Sequence, residues 1–192
     1  MTCRDDLGNT CNHRVRLHFK SIGMPRVSEF DALRNAQLVF GQYGIAIVFA
    51  SGESLLLTSD QTLTLSNVDA GTCLMSGPTS SEQDLLFSLG SLAQVGTRDI
   101  LVYYVDRLAM SNGDSLAGCA THPSGRPACV VAANGSRWTL GHEVGHVLGL
   151  THERHDATNL MFVPTASISA NPPGLNASQL TKARASSLSV PC

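Results

Sequence analysis

A chain of 192 residues that is 43% hydrophobic and 15% charged has enough apolar material for one core and too little charge to stay disordered. Its net charge of −2 gives no electrostatic reason to expect nucleic acid or an anionic membrane as partner. No apolar run approaches the roughly 18 residues that a membrane-spanning helix needs.

Val15, Leu17 and Phe19 alternate with Arg14, Arg16 and His18, which predicts a strand from His13 to Phe19 with one wet face and a solvated His18. From Ser28 to Gly41 the period becomes helical: Phe30, Leu33, Gln37 and Phe40 share a stripe and Ser28 can cap it. The apolar run Ile45 to Ala50 reads as a buried strand. Residues 51–80 are poorly periodic, with turns at Ser51-Gly52 and Ser76-Gly77-Pro78 and a strand near Thr62–Val68. Leu85, Leu86, Leu89 and Leu92 give a second helix over Ser81–Val95 a core face. Strands follow at Ile100–Val105, Ser115–Ala120 and Ala128–Ala133. A helix capped by Ser136 buries Leu140, Val144, Val147 and Leu148, and a last helix runs from Asn176 or Ala177 to Leu188. Neither repeats nor a linker divide residues 1–192, which read as one catalytic domain with an upper part at 1–149 and a lower part at 150–192.

The most specific feature lies in that penultimate helix: His142-Glu143-Val144-Gly145-His146-Val147-Leu148-Gly149-Leu150-Thr151-His152. At roughly 100° per residue, His142 and His146 stand about 40° apart, one turn above the other, and reach one ion together. Glu143 points roughly 60° to the side of His146, near a water on the ion but off the ion itself. Gly149 ends the helix, because glycine takes the left-handed conformation needed to turn the chain back. His152 then arrives from outside the helix as third ligand, with the fourth position open. These are the parts of a catalytic zinc site. A chance match in this composition has odds of roughly one in fifty thousand, which sets aside a core helix with incidental histidines.

The eleven-residue run resembles that of the metzincins, a clan of zinc-dependent endopeptidases. Their second hallmark, a tight turn carrying methionine beneath the metal, resembles Asn159-Leu160-Met161-Phe162-Val163-Pro164. The resemblance implies an α+β fold: a twisted mixed sheet and two main helices above a zinc cleft, with a small C-terminal subdomain and a final helix below. It also implies hydrolysis of peptide bonds by zinc-activated water, with Glu143 as general base and one catalytic Zn²⁺ held by His142, His146 and His152. A protein or peptide substrate would then lie extended along the edge strand near Ser115–Ala120, its next side chain beside the wall from Phe162 to Ala166. Glu153 resembles the residue after the third histidine in astacins, and residues 116–131 resemble the edge-strand region of adamalysins. No tyrosine follows Met161, unlike astacins and serralysins, so no subfamily is assigned. Two other readings stay open: a zinc amidohydrolase acting on a non-protein or cell-wall amide, and a non-catalytic binding module stapled by zinc.

Six cysteines form an even set. None makes a CxxC or CxxH pair, which points to disulfides in an oxidising compartment. Proximity in the chain pairs Cys3 with Cys11 and Cys119 with Cys129, and elimination joins Cys73 to Cys192. The polar start Met1-Thr2-Cys3-Arg4-Asp5-Asp6 is not a signal peptide, so a mature secreted form is expected, as a monomer. His13, His122 and His155 match no further ligand spacing. Asp106 and Asp114 bracket a glycine-containing loop, but the calcium spacing of an EF-hand is absent and a solvated turn is the simpler reading.

Overall fold

The computed structural model describes residues 2–74 and 77–192. The turn read at Ser76-Gly77-Pro78 therefore begins outside the described residues. A short antiparallel pair, β1 (Cys3–Arg4) and β2 (Thr10–Cys11), leads into β3 (His13–Ser21). Helix α1 (Glu29–Gly41) crosses to β4 (Ile45–Ser54), and the two strands pair in parallel. Ser28 caps α1 by accepting from the Asp31 backbone N–H. Helix α2 (Ser59–Thr64), strand β5 (Val68–Asp69) and helix α3 (Ser81–Ser88) fill the long connection to β6 (Ile100–Val105). The chain continues through β7 (Leu108–Ala109), β8 (Gly118–Cys119), β9 (Ala128–Ala132) and α4 (Thr139–Val147). It closes with α5 (Ala177–Ala185) and β10 (Val190–Pro191).

The main sheet is mixed. Strands β4, β3, β6 and β9 run parallel, β8 pairs antiparallel with β9, and β10 pairs antiparallel with the start of β3. A parallel sheet is covered on both faces, and β6 accordingly is buried at every position. Side-chain alternation sorts the sheet into two cores. Leu17, Phe19, Val102 and Tyr104 meet α1 and α4 on one face. Leu101, Tyr103 and Val130 meet Leu86 and Phe87 of α3 on the other.

The wet face expected for β3 holds at Arg14 and Arg16, which are exposed, and that two-sided burial overturns it from His18 onward. His18 is fully buried, because the chain around Ser91 and Asp99 folds over this side. Its Nδ1 lies 2.7 Å from Ser51 Oγ and its Nε2 3.0 Å from an Asp99 carboxylate oxygen. Lys20, equally buried, is ion-paired with Glu53 and donates to the Ser91 carbonyl at 2.7 Å. His18 and Lys20 are thus both satisfied by partners, as burial away from water requires.

Other elements are shorter than, or different from, the periodic reading. The stretch near Thr62 is helical in α2, capped by a reciprocal Thr58–Gln61 box. Helix α3 stops at Ser88 and Gly90 takes φ +85°, so Leu92 is exposed, and Leu89 and Val95 reach the core from outside the helix. Helix α1 buries Leu33, Gln37 and Phe40 but leaves Phe30 in solvent.

All three expected disulfides are replaced. The bonds join Cys3 to Cys192 and Cys73 to Cys119, with Cα separations of 5.5 and 5.8 Å, while Cys11 and Cys129 are buried thiols. Cys3 does face Cys11 across the β1–β2 ladder, yet β10 returns the C-terminus to the same place and Cys192 takes the bond. Cys119 pairs in register with Val130, so its neighbour Cys129 points to the opposite face of the sheet. Cys119 lies in the core beside α3, where Cys73 reaches it, and Cys129 lies in the core beneath α4. Proximity in sequence cannot report which face of a strand a thiol occupies.

Candidate active site

Helix α4 begins at Thr139, later than its sequence suggests. Trp138 occupies the cap position without a side-chain bond, and Ser136 instead closes the preceding turn, its hydroxyl accepting from Trp138 N at 3.3 Å. The helix is buried nearly all round: Leu140 and Val144 pack into the core, and His142, Glu143 and His146 are also buried toward the cleft. Gly149, with φ +95°, ends it, and the Leu150 N–H returns to the Gly145 carbonyl at 2.9 Å. The reversal carries His152 to the two helical imidazoles.

The three rings converge by their Nε2 atoms, those of His142 and His152 lying 3.0 and 2.9 Å from that of His146. His142 Nδ1 donates to the Leu160 carbonyl at 2.9 Å and His146 Nδ1 to the Leu150 carbonyl at 2.8 Å. Those bonds fix the tautomer, leaving a lone pair on each Nε2. Burial, then the charge of His146, pushes His142 down to about 3, and burial pushes His146 down to about 4, so both rings are neutral at pH 7. Facing lone pairs repel unless a cation lies between them. In a tetrahedral zinc site with bonds of about 2.05 Å the nitrogens stand roughly 3.3 Å apart, within a few tenths of the spacing here. The donor set therefore fits zinc. Among the described residues these three histidines form the one cluster of three or more His, Cys, Asp or Glu with ligand atoms within 4.8 Å of one another.

Glu143 is buried beside them, and burial raises its carboxyl to about 8. Gly118 on edge strand β8 packs against it so closely that a Cβ there would sit 2.5 Å from Glu143 Oε1. Beneath the helix, Met161 is fully buried, and a Cβ on Gly145 would lie 2.6 Å from its sulfur. Two glycines thus admit the carboxylate on one side and the thioether on the other. The methionine turn is held from below: Asn159 Oδ1 accepts from Met161 N at 2.9 Å, and the Asn159 amide exchanges hydrogen bonds with Gln179 of α5.

A cleft of about 850 Å³ opens over this centre. Leu116 to Gly118 and the Thr72–Leu74 segment form one wall, and Val163 to Thr165 form the other. The sequence reading located the edge strand and the wall after Met161. It missed the Thr72–Leu74 rim, which no periodicity marks and which the Cys73–Cys119 bond brings to β8. His122 bonds the Pro123 carbonyl and His155 is exposed; neither joins the centre. Asp106 and Asp114 are engaged by Met24 N and by Asn112, and they form no metal cluster among the described residues.

No family model matches the chain, and neither does any curated protein. Solved structures do. Metalloproteinase-II from Bacteroides fragilis aligns over 94% of this chain with a TM-score of 0.59 at 14% identity. The chain spans only 55% of that protein's length. Archaemetzincin from Methanopyrus kandleri aligns over 89% of this chain and 94% of its own, with a TM-score of 0.57 at 13% identity. At such identities the likeness is one of fold. With its mixed sheet and its histidine-bearing helix α4, this chain is metzincin-like in fold.

Proposed function

We propose that the chain is a secreted zinc-dependent endopeptidase. One observation carries this reading: three imidazole Nε2 atoms converge beside a buried carboxylate that lies outside that cluster. A purely structural zinc site closes with a fourth protein ligand and has no use for such a carboxylate. When bound there, zinc supplies Lewis acidity that acidifies water and polarises a carbonyl oxygen.

The chain's own residues do the rest. His142 and His146 hold fixed orientations through their Nδ1 bonds to Leu160 and Leu150. Burial alone would keep Glu143 protonated at neutral pH, but a cation on the neighbouring histidines would favour its ionised form; as carboxylate it accepts a proton while water attacks the scissile carbonyl carbon, then returns it to the departing amine nitrogen as the C–N bond breaks. The free edge of β8 beside Gly118 suits an extended peptide, which would add a strand to the sheet. The two disulfides fit an oxidising compartment, and no described helix is long and apolar enough to cross a membrane.

A peptide library digested with and without chelator, with the new termini sequenced, tests the reading. Cleavage at internal bonds that stops on chelation is expected. Glu143→Gln should lower kcat/KM by about 10²–10⁴-fold while one zinc per chain remains bound. Full activity in that variant removes Glu143 from the chemistry, and an intact library excludes a peptidase. The amidohydrolase reading predicts turnover of non-peptide amides in place of the library.

A further inference from the structure

Two aromatic side chains are exposed among the described residues, and they are neighbours. Phe30 on the first turn of α1 is 73% exposed and Phe49 on β4 is 38% exposed. Their ring centroids lie 6.2 Å apart. A single exposed ring needs no explanation, whereas a pair that walls a cavity does. Both line a cavity of about 240 Å³, together with the buried Phe19 of β3, whose ring meets that of Phe49 edge-on at 5.5 Å.

The backbone accounts for this grouping. In the β3–β4 ladder Leu17 faces Phe49 and His18 faces Ser51, so Ala50 is an extra residue on β4, as in a β-bulge. The bulge puts Phe49 and Gly52, three positions apart, on one face. The Phe49 ring lies across Gly52, where a Cβ would stand 3.2 Å from it. Ser21 shares that face of the sheet with Phe19, two residues before it. The Ser21 hydroxyl donates to Glu29 Oε1, which fixes the Glu29 carboxylate at the cavity. Glu29 makes no ion pair among the described residues. No lysine or arginine lines the cavity, and Lys20 lies on the opposite face of β3, engaged by Glu53 and the Ser91 carbonyl.

Three rings and one anchored carboxylate without a counter-ion suit an organic cation. Ring faces carry negative potential and attract an ammonium group within about 6 Å of their centroids. The carboxylate adds the opposite full charge. The volume suits one head group and falls below that of sites for larger ligands.

We infer that the cavity walled by Phe19, Phe30 and Phe49 binds an organic ammonium group, with Glu29 as its counter-charge. The ammonium comes either from a lysine side chain of a protein or from a free quaternary ammonium ion. Strands β4 and β8 are opposite edges of the sheet, so this site is separate from the cleft over the histidines. The inference does not rest on the peptidase reading.

The test has two arms. In the first, choline and its neutral isostere, with carbon in place of the charged nitrogen, are titrated onto the full chain and followed by amide chemical shifts. Choline should shift the signals of Ser21, Glu29, Phe30, Phe49 and Gly52 with a Kd on the order of 1 mM. The isostere should bind about 5-fold more weakly. Phe30→Leu keeps apolar bulk at an exposed position but removes the ring face. It should weaken choline about 3-fold and leave the isostere unchanged. Glu29→Gln should weaken choline and flatten its dependence on salt. Equal binding of the two probes, equal loss of both in Phe30→Leu, or shifts confined to other surfaces would overturn the site.

In the second arm, one short peptide carrying lysine, trimethyl-lysine or acetyl-lysine replaces choline. Charged forms that bind more tightly than choline assign a protein side chain, and weaker ones assign the free ion. The acetylated form, which has no charge, should fail to bind. An acetyl-lysine peptide that binds as well as the charged forms defeats the inference.

Discussion

Glu143 can sit where it does because Gly118 has no side chain. The methyl of Gly118→Ala would stand 2.5 to 2.8 Å from three Glu143 atoms, so the carboxylate would have to move. A displacement of about 1 Å at a reacting group costs on the order of 10²-fold in rate. Gly118→Ala is therefore expected to lower kcat/KM by about a hundredfold while zinc content and melting temperature hold. An unaffected rate would show that the carboxylate position is not critical. The helical histidines and Glu143 were legible because their spacing is a local property of an α-helix. Gly118 was not, because its contact joins a strand to a helix 25 positions on, and a sequence carries no sign of that meeting.

At the scale of elements, α5 buttresses the centre without touching it. Gln179 closes the α5 capping box by accepting from Asn176 N, and the same buried amide pairs with Asn159, which holds Met161 N. Gln179→Ala removes one cap and leaves the Asn159 amide unpaired, at about 1–3 kcal/mol. Urea denaturation should show that loss with a proportionate fall in midpoint. A variant as stable as the parent would mean Asn159 finds another partner. Elements with a strong local signal were readable: β6 matches its apolar run and α1 its Ser28 cap. Helices α2 and α3 were misjudged because short elements carry little periodicity, and turn chemistry at Gly90 outweighs the pull of Leu92.

Across the whole molecule, the polar layer behind β3 links distant segments and should set the acid limit of stability. Burial alone would raise the Asp99 carboxyl. Hydrogen bonds from His18 and Gly96 N and the charge of Arg16 hold it below the usual carboxylate range instead. A depressed folded pKa adds stability that is present above the unfolded value near 3.9 and is lost as pH falls through the folded one. Asp99→Asn is thus expected to be about 1–3 kcal/mol less stable at pH 7. The gap to the parent should close below about pH 4, measured by urea unfolding across pH. A gap that stays constant with pH would assign the loss to packing.

Sequence alone determined the cluster of His142, His146 and His152, the neighbouring acid, the glycine that ends their helix and the methionine nine residues later, because each depends on spacing within one continuous stretch. Tertiary structure decided which cysteines bond, that His18 and Lys20 are buried, that Gly118 and the Thr72–Leu74 rim border the cleft, and that Gln179 supports the methionine turn through Asn159. Those outcomes depend on which faces of a two-sided sheet are covered and by what, and long-range packing alone settles that.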